Sequence, residues 1–342
     1  MNFVNEVYKI SVLVPIYGVE QYIERCARSL FEQTYPNLEY VFVNDCTPDR
    51  SMEILRQVLE NYPNRVDAVR IINHITNQGS ATARNTLLDN AQGDFITMVD
   101  SDDWLELNAI ELLLKKQMET GADMVVSNEY FHTPTGVEKF IARKCKNKEE
   151  WVLLQMGCTL DHTLRGKLFK RSLFEENHIR CLEGCDMAED RYLLALLAYF
   201  SDTYAGIDDF VYNYEWRNTA SITSLYRGKF MKEYGFQYAR NWMGIRDFFS
   251  DKDQLFFRKA SHETLLYMKL LLTTAIKSGD KAYFGAVTQM LDKQNADERH
   301  YVRWDLSGIK GMLLHNYHYQ WIMWQMNRGV RYVKSFVGWC KK

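Results

Sequence analysis

The chain has 342 residues, 42 of them Lys or Arg and 44 Asp or Glu, which gives a formal net charge of −2 at pH 7. Hydrophobic residues make up 46% and charged residues 25%, a composition typical of a globular protein with one large or two ordinary domains. A net charge near zero provides no basic field, so no nucleic-acid partner is predicted.

The N-terminus and the cysteines favour an intracellular protein. The opening "MNFVNEVYK" has no basic region followed by an apolar core, so we predict no signal peptide. No run of about 20 apolar residues predicts a membrane span. The seven cysteines are scattered, and no second pair completes a zinc site with Cys181 and Cys185. Reduced thiols and a cytoplasmic location are therefore expected.

Apolar β-branched runs alternate with helical patterns along the first 131 residues. Such alternation predicts βαβ units, and hence an α/β fold whose mostly parallel sheet is flanked by helices. The predicted strands are Lys9–Gly18, Leu38–Asp49 with its closing polar loop, Val66–His74, Asp94–Asp100 and Ala122–Phe131. The predicted helices are Glu20–Gln33, Ser51–Asn61, Ser80–Asn90 and Leu107–Thr120.

The pattern changes after about Ile141. Glu149–Met156 and Met187–Phe200 are predicted helices, and the second of them opens with two acidic residues. The stretch between them, Leu164–Phe174, is both basic and apolar. Beyond residue 226 the sequence predicts helices alone, so we expect a helical C-terminal region, 226–342, after an α/β domain, 8–225.

The fourth predicted strand ends in an unusual crowd of carboxylates, "ITMVDSDDWLE". Asp100, Asp102 and Asp103 repel one another, and their burial is costly unless a cation or hydrogen-bond donors compensate. One interpretation is a polar turn that caps a helix starting at Trp104. The other is a site for a hard divalent cation, which prefers carboxylate ligands.

Three other strands also end in polar residues: Tyr17 follows the first, Asp45 and Asp49 the second, and Asn77 and Gly79 the third. Parallel α/β sheets bind ligands beyond the carboxyl ends of their strands, so one composite site is expected there. Gly79 opens the helix of "NQGSATARN", where glycine permits a close backbone approach and a helix N-terminus favours phosphate.

Seven segments together resemble the family 2 glycosyltransferases of the GT-A fold. They are "VPIYG", "VNDCTPDRS", "NQGSATARN", "DSDD", "RGKLFKR", "AED" and "YNYEWRNTASIT", and they span about residues 8–225. Three positions depart from the family pattern: Gly18 and Asn44 replace its Asn and first acid, and Arg165 replaces its Trp.

The resemblance implies that the acids after the fourth strand hold Mn²⁺ or Mg²⁺. Asp102 is then the direct metal ligand, and Asp100 lies near the ribose or sugar and contacts the metal through its waters. Asp103 is expected to cap the following helix. The residues expected to bind the nucleotide sugar are Pro15, Tyr17, Glu20, Asp45, Asn77, Gly79, Arg84, Asp100 and Ser101, with Asp45 on the uracil ring and Arg84 facing the base or diphosphate.

Several of these residues have ordinary structural alternatives. Tyr17 is also explained by loop packing, Glu20 by a place in a first helical turn, and Arg84 by pairing with a loop carboxylate. Lys167 and Arg217 are either diphosphate contacts or members of surface ion pairs.

The acids of "AED" carry the proposed chemistry of an inverting transfer. Asp190 is expected to take the proton of the acceptor hydroxyl, and Glu189 to position it, or to act as the base if the alignment is off by one. The alternative is that both acids only complement the dipole of the helix that follows.

The last segment, Trp321–Lys342, has an apolar face beside Arg328, Arg331 and Lys334. This pattern favours a helix lying on an anionic membrane surface, or one packed on its own domain or a partner. The sequence makes no prediction of the oligomeric state.

The resemblance as a whole implies a glycosyltransferase that moves a sugar from a UDP-sugar to a saccharide or lipid-linked acceptor in cell-surface polysaccharide synthesis. It would work in the cytoplasm, either free or on the inner face of the membrane. The alternatives are a non-catalytic nucleotide-sugar-binding or scaffold protein on the same fold, and a sugar-nucleotide pyrophosphorylase. The pyrophosphorylase should have a glycine-rich loop with Arg and Lys after its first strand, where this chain has "VPIYGVEQY".

Overall fold

The computed structural model describes residues 8–157, 163–218 and 234–292. The contacts divide the chain into two compact units, Met1–Leu225 and Tyr226–Lys342. Each unit is described by itself.

The first unit begins with four strands joined by three helices. The strands β1, β2, β3 and β4 are parallel and lie side by side in the order β3-β2-β1-β4. In chain order the elements are β1 (Ile10–Ile16), α1 (Ile23–Phe31), β2 (Leu38–Asn44), α2 (Ser51–Leu59), β3 (Val69–Asn73), α3 (Ser80–Asn90) and β4 (Phe95–Met98).

The rest of the unit extends this sheet beyond β4 in the order β8-β6-β9-β5, with β7 on β6. Strand β8 is antiparallel to both β4 and β6, so β6 and its parallel partner β9 run in the direction of β1. The elements are β5 (Trp104–Leu105), α4 (Ala109–Thr120), β6 (Met124–Thr133), β7 (Gly136–Phe140), α5 (Lys148–Gln155), β8 (Lys167–Lys170), α6 (Arg171–Glu176), α7 (Glu189–Phe200) and β9 (Tyr204–Tyr214).

The core of the unit lies between the sheet and its helices. On one face of β1, Val12, Val14 and Ile16 are fully buried, and α1 covers them with Ile23, Cys26, Ala27, Leu30 and Phe31. The i, i+3, i+4 spacing of these helix residues puts them on one side of α1, so their burial holds the helix on the sheet. This packing fixes the carboxyl end of β1 beside that of β4.

The predicted α/β class with a mostly parallel sheet flanked by helices is confirmed, and two local predictions are wrong. Residues 66–68 belong to a 3₁₀ helix, Pro63–Ala68, because proline at its start sets a helical turn before β3. Trp104 does not open a helix: Trp104 and Leu105 pair with Asn213 and Tyr212 of β9, and α4 begins at Ala109.

The described part of the second unit consists of three helices, α8 (Gly235–Phe249), α9 (Gln254–Ser278) and α10 (Lys281–Asp292), and the expected C-terminal helices are therefore present. Their shared core includes Ala239, Leu271, Leu272, Ala275 and Val287. Within the described ranges, no helix combines the length and apolarity needed to cross a bilayer. The predicted membrane-binding segment, Trp321–Lys342, lies outside the described residues.

Candidate active site

The acids after β4 form a short loop whose three carboxylates have different surroundings. Asp100 Oδ1 accepts a hydrogen bond from Arg84 Nη2 at 2.9 Å. Asp102 Oδ2 accepts one from Asn218 Nδ2 at 2.8 Å. Asp103 is fully buried and accepts hydrogen bonds from the Tyr212 hydroxyl at 2.7 Å and from the Glu215 amide at 2.8 Å. Asp102 and Asp103 are therefore held in place by hydrogen bonds from β9 and the segment that follows it.

The predicted helix cap at Asp103 is wrong, because its carboxyl group faces β9 rather than the amides of α4. Burial, together with the charges of Asp102 and Asp100, holds the pKa of Asp103 well above its usual range. Each oxygen of the Asp103 carboxyl group has a partner in or just after β9.

The carboxyl group of Asp102 has a pKa that is raised toward neutrality. Burial and the charge of Asp100 raise the pKa of Asp102 to about 6, against the lowering effect of the hydrogen bond from Asn218. Ser101 between the two acids is buried. The loop therefore presents two carboxylates whose repulsion is only partly compensated by the chain.

A second pair of acids lies at the first turn of α7, and Arg84 connects it to the first group. The Arg84 side chain is only 7% exposed, and its guanidinium lies 2.9 Å from Asp100, 3.4 Å from Glu189 and 3.5 Å from Asp190. Asp190 Oδ2 also accepts a 3.3 Å hydrogen bond from the Leu164 amide. Residues separated by 90 positions in the sequence thus form one network.

The partners of Arg84 are acidic side chains of the protein. The pairing with a loop carboxylate that the sequence left open is present at Asp100, and Arg84 pairs in addition with Glu189 at the start of α7. Contact of Arg84 with the nucleotide stays a prediction. The guanidinium lowers the pKa of both Glu189 and Asp190, but burial outweighs it, and the pKa of each acid is raised above its usual value.

The glycine loop before α3 is held by protein carboxylates. Asp45 accepts hydrogen bonds from the Gln78 and Gly79 amides, both at 2.8 Å, and lies 2.7 Å from His74 Nδ1. Asp186 accepts a 3.0 Å hydrogen bond from the Ala81 amide. The helix N-terminus that the sequence offered to a phosphate is therefore engaged by two side chains, and the uracil contact of Asp45 stays a prediction.

The remaining predicted nucleotide residues lie at the edges of this region. Tyr17 is half exposed after β1, and Pro15 is within β1. Glu20 precedes α1 and accepts a hydrogen bond from the Arg50 amide at 3.1 Å, so it does not lie in the first helical turn. Asn77 is exposed. None of these four has a described contact with the Arg84 network, and their ligand roles stay predictions.

Sequence reasoning missed two residues that support the acids, Arg25 in α1 and Glu215 just after β9. Glu215 accepts hydrogen bonds from Arg25 Nη2 at 3.0 Å and from Arg217 Nε at 2.6 Å, and Arg25 Nη2 also donates to the Asp102 carbonyl. The two guanidinium groups lower the pKa of Glu215 to about 2. The signal was available in "YNYEWRN", which was assigned to the family's closing segment without roles for Glu215 and Asn218.

Arg165, the departure from the family's Trp, is also buried. Its Nε donates to Glu129 Oε2 at 2.8 Å, and its guanidinium carbon lies 3.9 Å from the centre of the Tyr214 ring. A planar guanidinium can stack on an aromatic ring as an indole does. Lys167 is likewise inside the protein, where its Nζ donates to the Thr163 carbonyl at 2.6 Å, and Arg217 pairs with Glu215.

The donor set at Asp100 and Asp102 fits a divalent cation that is shared with a substrate. Within the ranges that the structure describes, no group of three or more His, Cys, Asp or Glu side chains is arranged to hold a metal by itself. Mg²⁺ and similar ions commonly take one or two carboxylates from the protein and further oxygens from substrate phosphates. Two incompletely compensated carboxylates match that requirement.

Solved structures place this fold in a known class. The crystal structure of S. aureus TarS 1–349 in complex with UDP-GlcNAc matches with a TM-score of 0.58 and 20% identity, over 83% of this chain and 92% of that chain. The mannosyltransferase PcManGT from Pyrobaculum calidifontis, in complex with GDP-Man and Mn²⁺, matches with a TM-score of 0.52 and 16% identity, over 95% and 88%. The protein has the GT-A type of glycosyltransferase fold.

Sequence comparison identifies the family. The family described as "Glycosyl transferase family 2" matches residues 11–178. Glycosyltransferase GlyA of Streptococcus pneumoniae is 33% identical over 235 residues, 65% of this chain and 32% of GlyA. The segment 11–178 of this chain belongs to glycosyl transferase family 2. It spans 32%, 59% and 64% of the lengths of three curated relatives.

Proposed function

We propose that the protein is an inverting, metal-dependent glycosyltransferase that moves a sugar from a UDP-sugar to a hydroxyl group of a saccharide or lipid-linked acceptor in cell-surface polysaccharide synthesis. The observation that carries this proposal is the Arg84 network, which fixes Asp100 and Asp190 within reach of one guanidinium. A donor-side acid and a candidate base are thereby held at one edge of the sheet.

Asp190 has the properties of a general base. Its Oδ1 atom is buried and accepts no hydrogen bond from the described residues, although Arg84 Nη2 lies 3.5 Å away. Burial raises the pKa of Asp190, and a base with a pKa closer to the working pH removes a proton more effectively. The oxygen of the acceptor hydroxyl attacks the anomeric carbon, and UDP leaves from the opposite side. Asp190 takes the proton of that hydroxyl during the attack.

Glu189 is the positioning partner of this base. Its Oε1 lies 3.4 Å from Arg84 Nε and 3.1 Å from Ser80 Oγ, so it is tied to α3 on two sides. Its side chain is 9% exposed, whereas that of Asp190 is 20% exposed. An acceptor hydroxyl needs access to the base, and this difference favours Asp190 for that role.

Asp102 and Asp100 would hold Mn²⁺ or Mg²⁺ together with the donor diphosphate. The bound cation acts as a Lewis acid that stabilises the charge on the departing diphosphate. The UDP-GlcNAc in TarS and the GDP-Man with Mn²⁺ in PcManGT support a nucleotide-sugar donor. Contact with a membrane surface through Trp321–Lys342 remains part of the proposal.

The test is donor turnover measured as nucleotide release from a panel of UDP-, GDP- and dTDP-sugars with Mn²⁺. We expect one UDP-sugar to be hydrolysed slowly by the wild type, and Asp102→Asn and Asp190→Asn to lose this activity. Asp208→Asn is the matched control, because Asp208 is an exposed acid paired with Lys144. Release of GDP alone would refute the UDP donor.

A second measurement separates an enzyme from a binding protein on the same fold. UDP with Mn²⁺ should raise the Tm of the wild type. If the wild type, supplied with membrane lipid extract as an acceptor source, still consumes no donor although UDP binds, the enzymatic proposal is wrong and a non-catalytic binding role replaces it.

A further inference from the structure

The segment that leads into α7 is attached to the first turn of α3 by the side chain of Asp186. Asp186 Oδ1 accepts the hydrogen bond of the Ala81 amide at 3.0 Å. The Asp186 carbonyl oxygen lies 3.1 Å from Ser80 Oγ. The same Ser80 hydroxyl lies 3.1 Å from Glu189 Oε1, so Asp186 and Glu189 meet α3 at one residue.

Gly79 makes this attachment possible. A Cβ atom added at Gly79 would overlap the Asp186 carboxylate, and Gly79 has a φ of +88°, which favours glycine. The glycine of the loop therefore makes room for a side chain of the protein. Its amide is already bound by Asp45 on the opposite side.

The backbone between Asp186 and the acid pair is strained. Ala188 has a φ of +63°, in the left-handed region that a residue with a Cβ atom rarely adopts. Such a conformation persists only where the surrounding structure fixes it. The contacts of Asp186 before it and of Glu189 after it flank this residue on both sides, and Asp190 follows directly.

We propose that Asp186 is a positioning residue that sets Asp190 against Asp100 and Asp102 by pinning the start of α7 to α3. This inference rests on the proposed role of Asp190 as the base. Among the described contacts, Asp186 meets the Arg84 network only through Ser80, which also contacts Glu189, so we infer that its effect is exerted through Ser80 and the backbone of residues 187–190. A displacement of about 1 Å at a reacting group can lower turnover by as much as about 100-fold.

The activity test compares Asp186→Ala and Asp186→Asn in donor hydrolysis with the UDP-sugar that the wild type consumes. We expect kcat to fall about 10- to 100-fold in Asp186→Ala, because the base moves. The KM for the donor should stay within about twofold, because Gly79 keeps its hydrogen bond to Asp45 and Asp102 keeps its hydrogen bond from Asn218. Asp186→Asn keeps an oxygen for the Ala81 amide and should recover most of kcat. Asp89→Asn is the control, because Asp89 pairs the last turn of α3 with Arg180 at 2.8 Å, at the opposite end of that helix from Ser80 and Ala81.

A Tm measurement tests the contact without any turnover. Gly79→Ala should lower the Tm more in the wild type than in Asp186→Ala, because the second background removes the overlapping carboxylate and leaves only the strained φ. Equal losses in both backgrounds would overturn the proposed contact.

The two proposals fail in different ways. Wild-type kcat in Asp186→Ala, with an inactive Asp190→Asn, overturns only the positioning role. An equal change of KM and kcat with loss of UDP binding also overturns it, since that result indicates general damage. Wild-type activity in Asp190→Asn overturns the base, and the positioning role with it, whatever the Gly79 variants show.

Discussion

Replacing Asp102 by Asn should stabilise the protein at neutral pH when divalent cations are removed. The pKa of Asp102 is raised from 3.8 to about 6, so the folded state binds its proton more tightly than the unfolded state does. A raised carboxyl pKa means that the ionised form opposes folding. Stability from this group is fully present below pH 3.8 and is lost as the pH rises through 6. Asn cannot ionise and avoids this loss.

The size of the effect follows from the shift. About two pH units at roughly 1.4 kcal/mol each give about 3 kcal/mol at pH 7, and solvent access to the partly exposed side chain reduces this to about 1–3 kcal/mol. At pH 4.5 most Asp102 side chains in the folded protein are protonated, and the difference between variant and wild type falls to at most about 1 kcal/mol. The hydrogen bond from Asn218 survives, because Asn also offers an oxygen.

Urea unfolding in EDTA at pH 7 and pH 4.5 measures this difference for both proteins. Asp45→Asn is the matched control, because Asp45 also ends a strand but accepts two amide hydrogen bonds and contacts His74. Its replacement leaves an amide without an acceptor and should destabilise the protein by about 1–3 kcal/mol. The reasoning fails if Asp102→Asn lowers the free energy of unfolding at pH 7, or if its effect is the same at both pH values.

Three further changes test the surroundings of the acids. Glu215→Gln removes the ion pairs with Arg217 and Arg25 and should destabilise the protein by about 1–3 kcal/mol above pH 4.5. The difference should disappear as the pH falls toward 2, because the pKa of Glu215 is lowered to about 2, and urea unfolding across pH checks this. Arg165→Met leaves Glu129 as an unpaired buried charge and should lower the free energy of unfolding by about 3–5 kcal/mol. The double variant with Glu129→Met should recover most of this loss, and an unrecovered loss would contradict the pairing. UDP at about 100 times its Kd, with Mn²⁺, should stabilise the wild type by about 2.7 kcal/mol and should stabilise Asp102→Asn by clearly less. The measurement is the shift in Tm, and equal shifts in the two proteins would exclude Asp102 as a metal ligand.

Local sequence patterns were sufficient for the parallel half of the sheet. The run "ISVLVPI" of β1 is β-branched and almost fully buried, and the 3.6-residue spacing in α1 gave its inner face. The carboxyl ends of neighbouring parallel strands lie together by necessity, so the gathering of polar clusters at one edge of the sheet followed from their positions alone.

The errors arose where distant pairing decides the local structure. Trp104 and Leu105 are followed by a helix, and only their bonding to β9, more than 100 residues later, makes them a strand. The same distance explains Asp103, whose partners Tyr212 and Glu215 are in and just after β9. An N-cap and a buried carboxyl group have the same sequence signature, an Asp before a helical pattern.

The sequence pointed to residues of the candidate site but not to the contacts between them. Arg84 and the acids of α7 are over 100 positions apart, and no local pattern shows that they meet. Asp186 had no signal beyond its place four residues before Asp190. Sequence motifs identify the groups that contact a ligand, whereas the side chains that hold those groups depend on packing that the motifs do not contain.

The positively charged side chains of the site are unevenly distributed among its acids. The buried guanidinium of Arg84 serves Asp100, Glu189 and Asp190, and the buried guanidinium of Arg165 serves Glu129. Among the residues that the structure describes, no Lys or Arg forms an ion pair with Asp102, whose hydrogen-bond donor is the neutral Asn218. Asp103 also has no ion pair among these residues, but it is fully buried and bonded to Tyr212 and Glu215, whereas Asp102, the acid proposed as the direct metal ligand, is only partly buried. Under the proposed role of Asp102, its raised pKa in the free protein and the binding of a cation together with the donor would have the same origin, because a buried positive side chain at the same place would remove both.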